Sequence, residues 1–280
     1  MQRPSAEQLA LLGNAERMCF EIADTVHQSP AIQRVMQPFL RTVGSGWVTI
    51  TTSKLRHVKG LEHVRELNPD RGVLFVSNHR SFFDFYVTMA VIYRNTDWVK
   101  RIFFPVRSNF FYEGALGVFV NAIMSGWAMF PPVMRSEHQR PFNRYTTDFI
   151  VEALGVPGTV VGYHPEGTRG KGDDPYTLLP AQSGVGTIVQ RAKPIVMPVF
   201  TLGLINNFPK QISSNFNGTG DPVTLVFGPA LDLSRFDDAP DTPETSRAIA
   251  DFIRDELVTL GQVERAFRAS EGLKPLGPSR

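Results

Sequence analysis

Residues 73–84 read VLFVSNHRSFFD, and this stretch decides the fold class. Its first part, Val73–Ser77, is apolar without polar alternation, which is typical of a strand buried on both faces of a sheet. The polar residues that follow predict a loop, and Phe83–Arg94 has the pattern of a helix. A buried strand that leads through a loop into a helix is the building unit of α/β domains.

The same pattern recurs along the rest of the chain. Four more short apolar runs predict strands at Ile102–Val106, Thr159–Tyr163, Ile195–Phe200 and Val223–Phe227. Helices are predicted at Ala115–Trp127, Pro141–Leu154, Gly184–Arg191 and Pro243–Phe267. We therefore predict an α/β fold, a layered, mostly buried sheet flanked by helices and preceded by an N-terminal helical unit.

Residues 1–52 predict this N-terminal unit, and residues 53–280 predict the α/β domain with its C-terminal helix. Apolar residues from Leu9 to Val26 recur at helical spacing, and Ser29-Pro30 closes this first helix. Between Thr25 and Leu61 the chain has no acidic residue and five basic ones: Arg34, Arg41, Lys54, Arg56 and Lys59. The same stretch carries a set of apolar residues near helical spacing: Val35, Met36, Phe39, Leu40, Val43 and Trp47.

A basic amphipathic segment with a tryptophan suits the headgroup layer of an anionic bilayer. In this interpretation Phe39 and Trp47 insert among the lipids and the five cations face the anionic membrane surface. The alternative is a helix that packs on its own domain and exposes a solvated charged face. Both alternatives fit the sequence.

Composition narrows the classes of protein that fit. Hydrophobic residues make up 42% and charged residues 20% of the 280, which excludes a disordered chain. The net charge of +2 gives no sign of a nucleic-acid partner, and the single Cys19 excludes an intramolecular disulfide. Gly114–Met134 has 21 residues without a charge, but it contains three glycines and Pro131-Pro132. We therefore expect a buried helix followed by a strand there, rather than a membrane span.

His79 and Asp84 form the first candidate site. They are five residues apart, which on a helix is about 500°, so they meet only if His79 lies in the loop and Asp84 in the first helical turn. Ser81 would then be the N-cap and Asp84 the N3 residue. In this geometry the carboxylate holds one imidazole nitrogen while the other nitrogen acts as a general base. A capping box beside an ordinary loop histidine is the alternative.

The second candidate site follows the predicted strand Thr159–Tyr163 and reads HPEGTRGKG, residues 164–172. A glycine-rich turn after a buried strand exposes backbone N–H groups, and Thr168, Arg169 and Lys171 add donors that suit a phosphate. The alternative for this loop alone is a polar connection. Two such loops, each behind a buried strand, favour a functional site over chance.

Both motifs resemble those of one enzyme family. Asn78-His79 with Asp84 resembles the H-x-x-x-x-D signature of glycerolipid acyltransferases, and Pro165–Arg169 resembles their P-E-G-T-R signature. The resemblance is to the lysophosphatidic acid acyltransferase (PlsC-like) family and covers about residues 55–230. Val58–Glu62 and Ile195–Val199 match the family as well, and the order and separation of the motifs agree with it.

The resemblance implies an O-acyltransferase that needs no metal and no cofactor. His79 would be the general base and Asp84 the partner that orients it. The acceptor site would consist of Arg135, Glu166, Gly167, Thr168 and Arg169. Acyl-CoA or acyl-carrier protein would donate the acyl group, and the enzyme would work at the cytoplasmic face of the membrane as a peripheral or monotopic protein.

The acceptor that the resemblance implies first is a lysophospholipid, 1-acyl-sn-glycerol 3-phosphate, which would give phosphatidic acid. Glycerol 3-phosphate, another lysophospholipid or a lyso-ornithine lipid are alternative acceptors. A non-catalytic lipid-binding protein of the same fold is an alternative from another class. A metallohydrolase built on His79, Asp84, His164 and Glu166 is a further one, although the six histidines show no H-E-x-x-H spacing.

The chain also departs from the family pattern. Pro131-Pro132 separates Phe130 from Arg135, where the family usually has glycine. His164 stands where the family commonly has phenylalanine, and Ala181–Gly184 lacks the Phe-Lys pair that often precedes the glycine. Aromatic residues cluster near the motifs, and they either line a groove for an acyl chain or pack the core: Phe82, Phe83, Phe85, Tyr86, Phe103, Phe104, Phe110, Phe111 and Tyr112.

Overall fold

A six-stranded sheet forms the centre of the protein in a computed structural model, which describes residues 3–108, 122 and 125–276. The strands of this sheet are β1 (Arg56–Lys59), β2 (Val73–Ser77), β3 (Arg101–Phe103), β6 (Thr159–Tyr163), β7 (Ile195–Leu202) and β8 (Val223–Phe227). Their spatial order is β1-β8-β7-β2-β6-β3, and only the β7–β8 pair is antiparallel. A separate parallel pair joins β4 (Val106–Arg107) and β5 (Pro132–Val133).

The predicted α/β fold class is confirmed. β2 lies between β6 and β7 with every residue buried, because helices cover both faces of the sheet. Three predicted strands agree with the structure residue for residue, and β7 is two residues longer than predicted. The predicted strand Ile102–Val106 is present in two pieces: Ile102 and Phe103 belong to β3 and Val106 to β4. Its predicted continuity is wrong, because Pro105 between them has no N–H to donate to a ladder.

The described helices surround this sheet. They span Ala6–Leu9, Asn14–Gln28, Pro30–Phe39, Ser45–Thr52, Glu62–Arg65, Asp84–Asn95, Asn143–Leu154, Gly184–Ala192, Phe208–Asn217 and Pro243–Ser270. Short 3₁₀ turns lie at Glu137–Phe142 and Ser234–Phe236, and a π turn at Leu40–Gly44. Helix Phe208–Asn217 was not predicted from the sequence. No helix in the described part of the chain is long and apolar enough to cross a bilayer.

Several predictions from the sequence concern residues wholly or partly outside the described part of the chain. Of the predicted helix Ala115–Trp127, the structure describes Ala122 and Ser125, which are helical, and Gly126 and Trp127, which form a turn; the other residues of this prediction lie outside the described ones. Phe110, Phe111 and Tyr112 also lie outside them. The strand expected after the helix is present as β5.

The N-terminal helices share the hydrophobic core with the α/β part of the chain. Trp47 packs its ring against Tyr86 and Phe208, with centroid distances of 6.2 and 5.7 Å. Trp47 is therefore half-buried inside the protein. The expectation that Trp47 inserts into lipid is corrected, because its ring packs against these two residues instead. The division into an N-terminal unit of residues 1–52 and an α/β domain of residues 53–280 stays a prediction.

Arg41 also has a different place from the one expected. Its guanidinium donates to the carbonyl oxygens of Tyr93 (3.0 Å), Thr96 (2.7 Å) and Val99 (2.7 Å). These carbonyls lie at and beyond the C-terminal end of helix Asp84–Asn95, where backbone acceptors lack helical partners and a cation is favoured. Arg41 thus ties the N-terminal helices to the helix that begins at Asp84, and it is not a cation of the outer face.

The π turn at Leu40–Gly44 aligns the exposed apolar residues of the N-terminal helices. Val35 and Val43 are eight residues apart, one more than two helical turns need, and the i→i+5 turn between them takes up the extra residue. Ile50 follows seven residues later on the same face. The exposed fraction is 69% for Val35, 54% for Val43 and 59% for Ile50. Phe216, which is 52% exposed, is near Ile50, because the side chain of its neighbour Asn215 donates to the Ile50 carbonyl. We call Val35, Val43, Ile50 and Phe216 the apolar row.

Candidate active site

The two motif loops leave the sheet side by side. β2 and β6 are parallel neighbours, with Val76 opposite Tyr163, so the loops after them emerge at the same edge. Asn78 fixes the first loop to β7, the strand on the other side of β2. Its side-chain amide accepts from the Thr201 N–H (2.8 Å) and donates to the Thr201 carbonyl (2.9 Å). This fully buried side chain thereby extends the β2–β7 ladder as one more peptide group would.

His79 and Asp84 meet as the sequence predicts. The Nδ1 atom of His79 lies 3.2 Å from the Oδ2 atom of Asp84. The same oxygen accepts the backbone N–H groups of Arg80 and Ser81, each at 2.8 Å, so the buried carboxylate holds the loop and the imidazole together. With Nδ1 donating to the carboxylate, the Nε2 atom carries the free lone pair.

The start of the helix differs from the prediction. Helix Asp84–Asn95 begins at Asp84 itself, and Phe83 rather than Ser81 is its N-cap residue. The hydroxyl of Ser81 accepts from the N–H of Phe83 (3.2 Å), two residues on, and so closes a turn ahead of the helix. Asp84 therefore stands at the first helical position instead of N3.

The electrostatic setting keeps His79 unprotonated. Burial above all, together with the positive charges of Arg169 and Arg107, lowers the pKa of His79 to about 3. Burial raises the pKa of Asp84 to about 6, although His164 and two backbone N–H groups favour its anion. At neutral pH the pair is a neutral imidazole beside a carboxylate, which is the state a general base requires.

A second imidazole, His164, lies directly on the first. The ring centroids of His79 and His164 are 3.8 Å apart and the ring planes differ by 11°. The Nδ1 atom of His164 lies 3.1 Å from the Ser77 carbonyl, and Phe85 covers the ring at 4.2 Å. The register of β2 and β6 places His164 opposite Ser77, whose carbonyl it contacts, and His79 lies two residues further along the first loop.

His79, Asp84 and His164 are the described residues that come closest to a metal site, with one potential ligand atom of each within 4.8 Å of the others. The stack opposes coordination, since the lone pairs of parallel rings lie in separate planes and do not converge on an ion about 2.0 Å away. Nearby arginines also make the surroundings unfavourable for a cation. The arrangement fits proton transfer better than metal binding.

Both carboxylate oxygens of Glu166 are engaged by backbone N–H groups. Its Oε1 atom accepts the N–H of His79 and its Oε2 atom the N–H of Leu179, both at 2.8 Å, and only 3% of the residue is exposed. Glu166 thereby connects the loop of His79 to the segment that follows the second motif. Glu166 also lines the cavity described below, and its contact with the acceptor stays a prediction.

Three arginines converge near the second motif. Arg107 (3.3 Å) and Arg135 both donate to the Gly167 carbonyl, and Arg169 donates to the side chain of Asn206 (2.7 Å). Arg107 was not predicted from the sequence. It becomes a neighbour of Arg135 through the β4–β5 pair, which places it opposite Val133. Gly167 itself has a φ of 63°, a conformation that favours glycine.

These residues line one cavity of about 460 Å³, a size typical of small-molecule sites. The polar part of its lining consists of His79, His164, Glu166, Gly167, Thr168, Arg107, Arg135 and Arg169. The apolar part consists of Phe82, Phe85, Tyr86, Phe104 and Met129. Phe83 and Phe103, which were also candidates, pack in the core, and Lys171 is exposed outside the lining.

We predict that Glu166→Gln destabilises the protein. Glutamine offers one oxygen and an NH₂ group, so either the His79 or the Leu179 N–H would face a donor. The free energy of unfolding should fall by about 1–3 kcal/mol, measured by urea denaturation. The control is Glu66→Gln at an exposed position, which should change it by less than about 0.5 kcal/mol. Equal stability of both variants would contradict this connecting role.

Comparison with known proteins now gives the family. No curated protein matched the sequence. Among solved structures, the 1-acyl-sn-glycerophosphate acyltransferase PlsC of Thermotoga maritima is similar at 16% identity and a TM-score of 0.43, over 90% of this chain and 97% of that one. The family model described as Acyltransferase matches residues 56–201, more than half of the chain and both motifs. The predicted family is confirmed, and the protein is a member of the acyltransferase family.

Proposed function

We propose that this acyltransferase moves a fatty acyl group from a thioester to the free hydroxyl of a lysophospholipid, with 1-acyl-sn-glycerol 3-phosphate as the favoured acceptor. One observation carries the proposal. His79, which Asp84 holds from behind, lines the same cavity as three arginines and an aromatic wall formed by Phe82, Phe85, Tyr86 and Phe104. A base, an anion site and an apolar surface are what transfer between an acyl thioester and a phosphate-bearing lipid requires.

The arginines support a phosphate on the acceptor. Arg107, Arg135 and Arg169 offer planar forks that bind phosphate oxygens two at a time. Among the described residues, no carboxylate forms a salt bridge with any of the three, since their side chains donate to the Gly167 carbonyl and to Asn206. Their charge therefore remains available to an anionic ligand, which favours a phosphomonoester headgroup over a neutral one.

The aromatic wall supports a lipid substrate. Phe85 and Tyr86 contact Phe104 at centroid distances of 6.3 and 5.5 Å, and Phe82 lies 5.7 Å from Tyr86. An acyl chain against this wall gains about 0.8 kcal/mol per buried CH₂ group. The acyl chain of the donor can occupy this wall with either acceptor, so the wall supports a fatty acyl substrate, and the acceptor panel below distinguishes the acylated acceptor from glycerol 3-phosphate.

The reaction follows from the protonation states of the pair. Nε2 of His79 accepts the proton of the acceptor hydroxyl as its oxygen attacks the thioester carbonyl carbon. The tetrahedral intermediate then collapses, the C–S bond breaks, and the thiolate of acyl-CoA or acyl-carrier protein takes the proton back from His79. Asp84 holds Nδ1–H and stabilises the transient imidazolium. No residue becomes acylated and no cofactor takes part in these steps.

A lipid acceptor requires contact with a membrane, and we propose that the apolar row provides it. Val35, Val43 and Ile50 share one exposed helical face, and the exposed cations Arg34 and Lys54 flank it. Apolar side chains bordered by cations suit an anionic bilayer surface. Arg41 is engaged with helix carbonyls, so the contact depends on fewer cations than the sequence suggested.

His79→Ala should abolish acyl transfer while the fold remains intact. Loss of a general base costs about 10²–10⁴ in rate. Purified protein is assayed with radiolabelled acyl-CoA against a panel of 1-acyl-glycerol 3-phosphate, glycerol 3-phosphate and lysophosphatidylcholine. His138→Ala, at an exposed position, is the control and should keep full activity. Activity above half of the wild-type value in folded His79→Ala would refute the mechanism.

Arg107→Lys and Arg169→Lys should each raise the KM for the phosphate-bearing acceptor more than the KM for acyl-CoA. Lysine keeps the charge but loses the planar fork, and one lost charge-assisted hydrogen bond of about 1.5–3 kcal/mol corresponds to roughly a tenfold or larger rise. Lys171→Met outside the cavity is the control. A larger effect on acyl-CoA would assign these arginines to the donor instead.

Ile50→Asp and Val43→Asp should release the protein from vesicles of phosphatidylglycerol and phosphatidylcholine. Withdrawal of one apolar side chain from lipid costs about 1.5–3 kcal/mol, so the bound fraction in co-sedimentation should fall at least tenfold. The control is Val156→Asp, which makes the same kind of change at an apolar residue that is 43% exposed elsewhere on the surface. This variant should bind like the wild type. Unchanged binding of all three variants would place the membrane contact outside the apolar row.

A further inference from the structure

Asn206 joins the two motif loops from a third segment of the chain. Its Oδ1 atom accepts from the Nη1 atom of Arg169 (2.7 Å) and from the backbone N–H of Phe82 (3.0 Å). Arg169 belongs to the second motif and Phe82 to the loop between His79 and Asp84, and both line the cavity. Asn206 is not among the described residues of that lining, so it acts on the cavity through these two partners.

The segment that carries Asn206 is itself fixed. It follows β7, and the residues on both sides of Asn206 are bound to the helix that comes next. The Ile205 N–H donates to the side chain of Gln211 (2.9 Å). The side chain of Asn207 accepts from the Lys210 N–H (3.0 Å) as the N-cap of that helix. Asn206 therefore stands between two anchored neighbours.

Arg169 has a long side chain, and ordering it has a cost. A free arginine gives up rotational freedom when it binds a ligand, and that loss weakens the binding. The bond to Asn206 restricts the guanidinium before a ligand arrives. A guanidinium has five N–H donors, so this bond leaves a planar fork that can bind a phosphate. Because asparagine is uncharged, it orients the cation without neutralising it.

We propose that Asn206 is a positioning residue that orients Arg169 toward the phosphate of the acceptor. The inference rests on the proposed function, in which Arg169 binds this phosphate. The phosphate does not react, so its contact with Arg169 is equally strong before and during acyl transfer. Loss of such a contact raises the KM and leaves kcat unchanged. Asn206 thus sets the affinity for the acceptor and not the rate of the chemical step.

Two variants remove the shared acceptor atom. Asn206→Ala shortens the side chain, and Asn206→Leu keeps its size, so one still tests the proposal if the other fails to fold. The KM for 1-acyl-glycerol 3-phosphate should rise about three- to tenfold, the effect of ordering one long side chain. The kcat and the KM for acyl-CoA should keep their wild-type values. An unchanged acceptor KM in the folded variants, or an equal rise for acyl-CoA, would overturn the proposal.

The control is Asn95→Ala. It removes an asparagine that also accepts from an arginine, Arg65, but neither residue lines the cavity as described. Both KM values of this variant should equal those of the wild type.

A double variant shows whether Asn206 acts through Arg169 or through Phe82. In the Arg169→Met background, Asn206→Ala should raise the acceptor KM no further, because the side chain that Asn206 positions is gone. If Asn206 acted through the N–H of Phe82, the second rise would persist in that background. A persistent rise would overturn the proposal.

Binding without an acyl donor separates this inference from the proposed function. Calorimetry measures the Kd of 1-hexanoyl-glycerol 3-phosphate, which should rise about three- to tenfold in Asn206→Ala. Weaker binding by Arg169→Met but not by Asn206→Ala would overturn the inference and leave the proposed function standing. The expected rise in a protein whose wild type transfers no acyl group would support the role of Asn206 and refute the proposed reaction alone.

Discussion

The site depends on two buried carboxylates that take up the backbone N–H groups of the loops leaving the sheet. Where β2 and β6 end, the ladder no longer satisfies these donors, and a buried donor without a partner is costly. Asp84 accepts from Arg80 and Ser81, and Glu166 accepts from His79 and Leu179. The bonds of Asp84 hold the first loop in shape, and the bond from the His79 N–H to Glu166 joins this loop to the second one, so the position of the His79 imidazole follows from them.

This use of the carboxylates determines the charge of the cavity. Because Asp84 and Glu166 face backbone donors, the described lining of the cavity leaves Arg107, Arg135 and Arg169 without a carboxylate partner. Their positive charge, together with burial, favours a neutral His79. One arrangement thus has two effects, since His79 stays neutral and the three arginines have no carboxylate partner in the described lining.

The sequence predicted what is local and missed what arises from register. Apolar runs identified β2, β6 and β8 residue for residue, and the spacing of His79 and Asp84 allowed their contact only in the loop-and-first-turn arrangement that the structure shows. Arg107 was missed because only the pairing of β4 with β5 brings it to Arg135. The contact of His164 with the Ser77 carbonyl likewise depends on the β2–β6 register, which a single strand does not reveal. Arg41 looked like a surface cation because its carbonyl partners lie more than fifty residues away.

The π turn at Leu40–Gly44 makes the length of the N-terminal helices as important as their composition. The extra residue of this turn sets the rotation of helix Ser45–Thr52 about its axis relative to helix Pro30–Phe39. If one residue were removed there, the second segment would turn by about 100° relative to the first. Ile50 would then rotate away from Val35, and Trp47 would leave its place against Tyr86. A single-residue deletion at this turn would therefore disturb the surface and the core at once, although no side chain of either had been changed.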